Sequence, residues 1–393
     1  MTHKIIFINR YFYPDHSATS QMVSDLAFDL GEQEWRVHVI TSRQRYGDPA
    51  SRLPAIETCQ GITVHRIWTT RFGRLRLIGR SLDYVTFYLS AGWRLWRLAR
   101  RGDIIVAKTD PPLISVVAGG VGRLRAAVLV NWIQDLFPEV ASALGVPGMN
   151  GWVASMLRRL RNASLRIARM NVVVGDHMAA RVRGEGINAS RIRIIHNWAD
   201  GAAIRPQNGA ENPLRQKWGL ADKFVVGYSG NMGRAHEFTT ILEAATLLNS
   251  EPEIVFLFIG DGAQRPWIEE SVREKGLQNF VFKPYQSREH LAQSLSVADV
   301  HLISLRSGLE GLMVPSKFYG IAAAARPVLY IGDLDGEIGA ILRKADCGVV
   351  ISEGDAGSLA AQVRRLDSEY DLCLDMGRNA RAVFDQRFER RWA

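Results

Sequence analysis

Cysteine is scarce in this chain. There are three in 393 residues, Cys59, Cys347 and Cys373. They are odd in number and far apart, and no C-x-x-C or Cys/His spacing suits a metal. A disulfide scaffold and a structural zinc site are excluded, and a reducing compartment is expected. Long apolar runs are missing as well. No window holds 18 uninterrupted apolar residues, so no transmembrane helix is expected. The first apolar run, Ile5–Ile8, follows Met1-Thr2-His3-Lys4 and is too short for a secretory signal. No short repeat or low-complexity tract occurs. A composition of 47% hydrophobic and 23% charged residues excludes disorder.

What is present is length for two domains and a formal charge of +9. The charge is unevenly spread. Residues 1–200 carry 27 Lys/Arg against 15 Asp/Glu, a net +12, and residues 201–393 carry 22 against 25, a net −3. Two domains with different partners are expected, the first suited to a polyanion or an anionic membrane.

Short apolar runs alternate with amphipathic stretches. Strands are expected at 4–9, 37–41, 63–67, 104–107, 127–134, 171–174 and 192–195, with a helix over 20–34. Residues 197–212 are polar and punctuated by Pro206 and Gly209, and read as a linker. The pattern then restarts. Strands are expected at 224–229, 254–259, 280–282, 300–304, 328–331 and 348–351, and helices at 238–248, 265–275, 288–296, 317–325 and 337–344. Apolar strands separated by helices imply parallel sheets buried on both faces. The fold class is therefore α/β, with two Rossmann-like doubly wound domains facing across a cleft. The expected boundaries are 1–200 for the first domain, 201–375 for the second, and 376–393 for a C-terminal helix packing back on the first. The last residues, Phe388–Ala393, read as part of a helix that continues.

Such sheets bind ligands beyond the carboxyl ends of their strands. Tyr228-Ser229-Gly230-Asn231-Met232-Gly233-Arg234 sits between a strand and a helix. Gly230 and Gly233 permit close backbone approach to an anion, and Arg234 adds charge; a plain glycine turn with a solvated arginine fits equally. The dinucleotide fingerprint G-x-G-x-x-G is absent there. Gly260-Asp261-Gly262 is a second turn, for ligand or for chain reversal. The stretch from Gly308 to Lys317 is the most informative. Glu310 sits among glycines, Pro315 and Ser316 can start a helix, and Lys317 falls on its first turn. A lysine there opposes the helix dipole and suits a bound diphosphate; an exposed lysine is the alternative.

These stretches, in this order, resemble a GT-B-fold glycosyltransferase of family 4, and the resemblance covers most of the chain. It rests on Gly230–Arg234, on Gly260–Gly262, on Glu310-Gly311-Leu312-Met313-Val314-Pro315, on Pro315-Ser316-Lys317, and on Arg326-Pro327-Val328. In the first half it rests on Tyr11-Phe12-Tyr13-Pro14, Val37–Thr41, Val173–Met178 and Ile195-His196-Asn197-Trp198. The chain departs from the family at three points. Asn231 stands where an arginine is usual, and the loop's lysine falls near His236, which leaves Arg234 as the replacement charge. The second glutamate, a ribose ligand in the family, aligns with Gly320. The first-domain Gly-Gly loop is replaced by Ser17-Ala18-Thr19-Ser20, whose hydroxyls and amides suit a phosphate or ordinary helix capping.

The resemblance implies a retaining, metal-independent transfer from a nucleotide-diphosphate sugar, a UDP-sugar foremost, with no cofactor. Arg234 and Lys317 would stabilise the leaving diphosphate, Glu310 would orient donor hydroxyls, and no protein nucleophile is assigned. The donor would contact Gly230, Asn231, Gly233, His236, Gly260, Gly262, Gly311, Leu312, Pro315 and Ser316, with the base near Pro284 and Tyr285. Ser17, Ala18 and Thr19 would complete the set. Asp135, ending a first-domain strand, would accept a substrate hydroxyl or cap a helix near Pro138. Asp333-Leu334-Asp335 has D-x-D spacing but lies in a late turn, and no metal is expected.

Basic stretches with interleaved aromatics run from Arg71 to Arg101, including Arg74 and Arg76 and against the single acid Asp83, and from Trp152 to Arg169, including Arg158, Arg159 and Arg161. They suit an anionic membrane, or a solvated face over a core stripe. Nucleic acid is not expected, because no recognition fold is visible. The expected acceptor is a polyprenyl-diphosphate-linked or other saccharide, at the inner face of the cytoplasmic membrane, in polysaccharide or lipopolysaccharide assembly. A nucleotide-sugar 2-epimerase of similar fold and a catalytically degenerate membrane-bound scaffold are the alternatives.

Overall fold

A run such as Lys4-Ile5-Ile6-Phe7-Ile8, buried at every residue, can only be a strand covered on both faces. The computed structural model describes residues 3–393 except 16, 47, 49, 74–76 and 210. Arg74 and Arg76 of the basic stretch lie outside the described residues. The chain divides into two compact units between Ile195 and His196.

Among the described residues the first unit has eight strands: β1 (Lys4–Ile8), β2 (Arg36–Ser42), β3 (Ile56–Cys59), β4 (Ile62–Ile67), β5 (Ile104–Lys108), β6 (Val128–Ile133), β7 (Met170–Val173) and β8 (Ile192–Ile194). Their order is β3-β4-β2-β1-β5-β6-β7-β8. All neighbours are parallel except β3 and β4, an edge hairpin turning at Gln60 and Gly61, both at positive φ. Leaving β3 aside, the sheet is doubly wound and reverses direction at β1. Its helices are α1 (Ala18–Glu32), α2 (Leu77–Leu98), α3 (Ile114–Arg125), α4 (Glu139–Ala143), α5 (Gly151–Ile167) and α6 (Asp176–Gly184). Phe87, Ala91 and Leu95 of α2 join Ile6, Ile8 and Ile105 of the sheet in one core.

Among the described residues the second unit has six parallel strands: β9 (Phe224–Ser229), β10 (Ile254–Ile259), β11 (Phe280–Lys283), β12 (Val300–Ser304), β13 (Val328–Ile331) and β14 (Gly348–Ile351). Their order is β11-β10-β9-β12-β13-β14, the nucleotide-binding order, with the reversal between β9 and β12. The helices are α7 (Pro213–Lys217), α8 (Thr239–Leu247), α9 (Arg265–Glu274), α10 (Leu291–Ser296), α11 (Lys317–Ala323), α12 (Glu337–Ala345), α13 (Ala356–Ser368) and α14 (Tyr370–Arg387). The C-terminal helix starts at Tyr370, six residues before the expected 376. It packs on α11, α12 and α13 of its own unit. It stops at Arg387, and the segment after it bridges to Ala199 rather than extending the helix.

One expectation fails on burial. Arg161 does not face solvent beside Arg158 and Arg159. It is buried, donating to Glu139 Oε1 at 2.8 Å and to Glu185 Oε1 at 3.2 Å. Arg158 and Arg161, three residues apart on one helix face, both reach Glu139, but Arg161 also reaches Glu185 just after α6, and the two carboxylates neutralise it. Arg158 reaches Glu139 as well, at 3.1 Å, but stays exposed, as does Arg159. Asp83, the lone acid of the first basic stretch, is also internal. It accepts from Thr70 Oγ1 at 2.7 Å, from the Phe72 and Gly73 amides at 3.1 Å, and from Arg10 at 3.3 Å.

Candidate active site

Three loops meet at the β9/β12 reversal of the second unit. The first leaves β9 at Gly230, whose φ of 128° is left-handed backbone that favours glycine. The second leaves β10 at Gly260, where an added Cβ would stand 2.2 Å from the Gly230 carbonyl oxygen. A Cβ at Gly262 would stand 2.6 Å from the Met232 backbone. These glycines are thus required by loop-on-loop contact. The amide of Gly230 donates to Ile259 O and that of Met232 to Asp261 O, both at 2.8 Å. Gln264 Nε2 donates to Gly233 O at 2.7 Å and to His236 O at 2.9 Å, which locks the first loop to the second.

The third loop follows β12 and delivers Lys317 at the start of α11. Its side chain runs under Gly230, where a Cβ would lie 2.8 Å from Lys317 Cε. Nζ donates to Asn231 O at 3.2 Å and to His236 Nε2 at 2.9 Å, and lies 5.0 Å from the Tyr228 ring centre. His236 Nδ1 donates to Ser304 O at 2.6 Å, so Nε2 is the acceptor in the neutral ring. Burial, then the neighbouring Lys317 charge, pull His236 down to about 3. Burial pulls Lys317 down to about 7. The ammonium therefore has two neutral partners, no carboxylate among the described residues, and a third N–H to give.

Glu310 is half-buried in the same loop. Its Oε1 accepts the Glu337 amide at 2.8 Å, at the start of α12. A Cβ on Gly336 would meet Oε2 at 2.5 Å, so the glycine there makes room for the carboxylate. Gly311 has φ 72°. Leu312 is buried, and its amide closes a turn onto Leu309 O at 3.0 Å. Pro315 precedes Ser316, which stands at the N-cap of α11 but makes no capping bond with its side chain. Arg234 and Asn231 are exposed beside this cluster. Pro284 and Tyr285 follow β11 and are exposed; they join the assembly through Lys283 O, which accepts from the Gly260 amide at 3.0 Å. A Cβ at Gly320 would meet Leu295 at 3.6 Å and Ile204 at 3.9 Å, ordinary contacts, so steric crowding does not require glycine there. Asp333 and Asp335 are tied locally, Asp333 Oδ1 to the Asp335 amide at 2.9 Å and Asp335 Oδ1 to Arg343 at 3.0 Å.

In the first unit, Ser17 is the N-cap of α1 with no side-chain cap bond, and Ala18 and Thr19 begin the helix. Asp15 already accepts the Ser17 amide at 2.8 Å. Asp135 follows β6. Burial, then the charge of Asp110, push its carboxyl up to about 6 against the pull of Lys108. Asp135 and Lys108 line a cavity of about 30 Å³, together with Asn131, Ser115 and Arg161. That is room for a single water. Lys108 is a residue the pattern missed. It is buried, its Nζ lies 3.5 Å from the Trp132 ring centre and makes no hydrogen bond, and burial holds it well below the usual lysine range. The only signal for it was a lysine closing a strand of otherwise apolar residues. An open groove of about 720 Å³ near Arg205 and Arg381 contains none of the candidate residues.

Residues 17–198 match the glycosyl transferase 4-like domain and residues 211–383 match glycosyl transferases group 1. The chain is 30% identical over 326 residues to the probable glycosyltransferase WbjE of Pseudomonas aeruginosa, covering 81% of this chain and 79% of WbjE. It is 27% identical to the putative colanic acid biosynthesis glycosyl transferase WcaI of Escherichia coli (strain K12), over 66% of this chain and 63% of WcaI. Among solved structures, sucrose-phosphate synthase from Thermosynechococcus elongatus aligns with a TM-score of 0.76 at 18% identity, covering 98% of this chain and 95% of that one. HepE of Anabaena, in complex with UDP, aligns with 0.72 at 16%, covering 98% and 96%. The structural likenesses establish a shared fold.

Proposed function

The chain belongs to the glycosyltransferase family, with a 4-like first half and a group 1 second half, and from that premise we propose that it is a retaining enzyme that takes its sugar from a nucleotide-diphosphate donor. The observation that carries the donor assignment is Lys317. A half-buried ammonium with only neutral partners and one N–H to spare, set under glycines that bring backbone close, suits an anion. A diphosphate there would supply the opposite charge that Lys317 lacks and favour the protonated form that burial disfavours. UDP is the first choice of nucleotide, since HepE was solved with UDP.

In the proposed reaction the bond from the anomeric carbon to the diphosphate oxygen breaks. Negative charge then grows on the leaving diphosphate, where Lys317 and Arg234 stabilise it. The acceptor oxygen bonds to the same face of the sugar, and its proton passes to the departing diphosphate oxygen. Gly230, Asn231, Gly233, His236, Gly260, Gly262, Gly311, Leu312, Pro315 and Ser316 shape the donor pocket, with Pro284 and Tyr285 toward the base. Glu310, held by the start of α12, orients donor hydroxyls. Asp135, raised to about 6, is the first unit's candidate for a substrate hydroxyl.

The acceptor is a saccharide on a polyprenyl diphosphate, handled at the inner face of the cytoplasmic membrane during polysaccharide assembly; the name of WcaI, a putative colanic acid biosynthesis glycosyl transferase, supports polysaccharide assembly. A nucleotide-binding scaffold without transfer is a second reading, favoured by Asn231 and Gly320 where charged residues are usual. The test supplies purified protein with radiolabelled UDP-, GDP-, ADP- and dTDP-sugars and bacterial membrane vesicles. Label entering the butanol-extractable fraction with one donor supports transfer. Donor binding without any incorporation would favour the scaffold.

A further inference from the structure

The solvent side of α2 is apolar. Ile78, Leu82, Val85, Leu89, Trp93 and Trp96 are spaced by three or four residues and are 39% to 79% exposed. The opposite side is already used, with Phe87, Ala91 and Leu95 in the core. A helix on a protein surface normally turns polar residues outward, so this stripe has no folding reason. It is about 27 Å long at 1.5 Å per residue. Arg80 and Arg97 flank it, Arg100 and Arg101 follow it, and its single acid, Asp83, is buried. α3 packs against both α2 and α5, so the three helices are successive neighbours in the first unit. On α5, Trp152, Met156 and Leu160 are exposed at four-residue spacing, with Arg158 and Arg159 beside them and no acid in the helix. Leu124 at the end of α3 is exposed too.

We propose that the α2 stripe, with the exposed edge of α5, is a lipid-docking face that lies in the plane of an anionic membrane. The apolar side chains enter the boundary between headgroups and acyl chains, the tryptophans sit at headgroup depth, and the arginines meet lipid phosphates. The commitment to lipid rests on charge. A positive rim without an exposed acid on α2 or α5 complements an anionic surface, and the distributed stripe needs no matching pocket. No described helix is long and apolar enough to cross a membrane, which agrees with docking in the plane. The sequence pointed to both basic stretches and named Arg158, Arg159 and Arg161 of α5; the structure moves the weight to α2, because Arg161 is internal. The inference adds to the lipid-linked acceptor reading and depends on it only for its purpose.

The test is cosedimentation of the full chain with vesicles of phosphatidylglycerol and phosphatidylethanolamine, against vesicles of phosphatidylcholine alone. Wild type is expected to pellet with the anionic vesicles, and Leu89→Gln/Trp93→Gln to partition at least about tenfold more weakly. Both positions are exposed, so the thermal midpoint should hold; Leu89→Gln alone, expected to lose about threefold, serves if the pair does not fold. Failure of wild type to bind, or equal binding by the variants, overturns the proposal. So does a wild-type dimer in sedimentation that the variants convert to monomer, which would make the stripe a contact between copies. Nucleoside diphosphate binding on the same preparations reads the donor proposal separately, since no residue of α2 belongs to that site.

Discussion

If Lys317 is neutralised by burial and recharged by the donor diphosphate, donor binding must take up a proton. The free side chain sits near pKa 7. At pH 8 about nine-tenths of the free protein then lacks that proton. A diphosphate on Nζ favours the charged form and moves the group back toward its ordinary 10.5. The bound state holds more protons than the free state between about pH 7 and 10, so affinity falls as pH rises across that window and is flat below it. From pH 7 to pH 9 the protonated fraction drops from about one-half to about one-hundredth, which predicts a roughly 50-fold weaker Kd. Calorimetry at pH 8 in buffers of different ionisation enthalpy should show uptake of about 0.9 proton per nucleoside diphosphate bound. Lys317→Met should bind more weakly at pH 7, with no uptake and a flat profile. An unchanged affinity from pH 7 to 9, or the same uptake in Lys317→Met, would refute the reasoning.

Other expectations follow from contacts. Gly260→Ala forces a Cβ against the Gly230 carbonyl in left-handed backbone, and should cost about 2–5 kcal/mol in urea unfolding and disturb donor binding together. Arg161→Ala leaves Glu139 and Glu185 short of a partner and should cost about 3–5 kcal/mol, whereas Arg158→Ala, which removes an exposed side chain and leaves Arg161 on Glu139, should stay within about 1 kcal/mol by thermal unfolding. Asp135 has a folded pKa of about 6 against an ordinary 3.8, so its contribution to stability is lost as pH rises between those values. Asp135→Asn should remove that loss, and should remove any step near pH 6 from the transfer rate.

The parallel strands of both units were readable because a strand covered on two faces is apolar throughout, as in Ile254–Ile259. The edge strand β3 was not, since Ile56-Glu57-Thr58-Cys59 is half exposed and mixed in character. Within α2 the pattern hid its own meaning. Apolar residues on both sides of a helix leave no signal for which side enters the core. The glycine turns were legible as turns, but their cause, the packing of Gly260 and Gly262 on the Gly230–Met232 backbone, is a contact between loops some 30 residues apart in sequence. Arg161 read as one more surface arginine because its partners, Glu139 and Glu185, are distant in the chain. Lys108 carried no motif at all. Sequence patterns report periodicity and local chemistry, and they are silent on which buried charges meet.

The most direct test of the central claim is titration of the purified chain at pH 7 with UDP-, GDP-, ADP- and dTDP-sugars, wild type beside Lys317→Met. One nucleotide series should bind, and Lys317→Met should weaken it at least about tenfold, the loss of one charge-assisted contact. Binding of none of them, or equal binding by the two proteins, would contradict it.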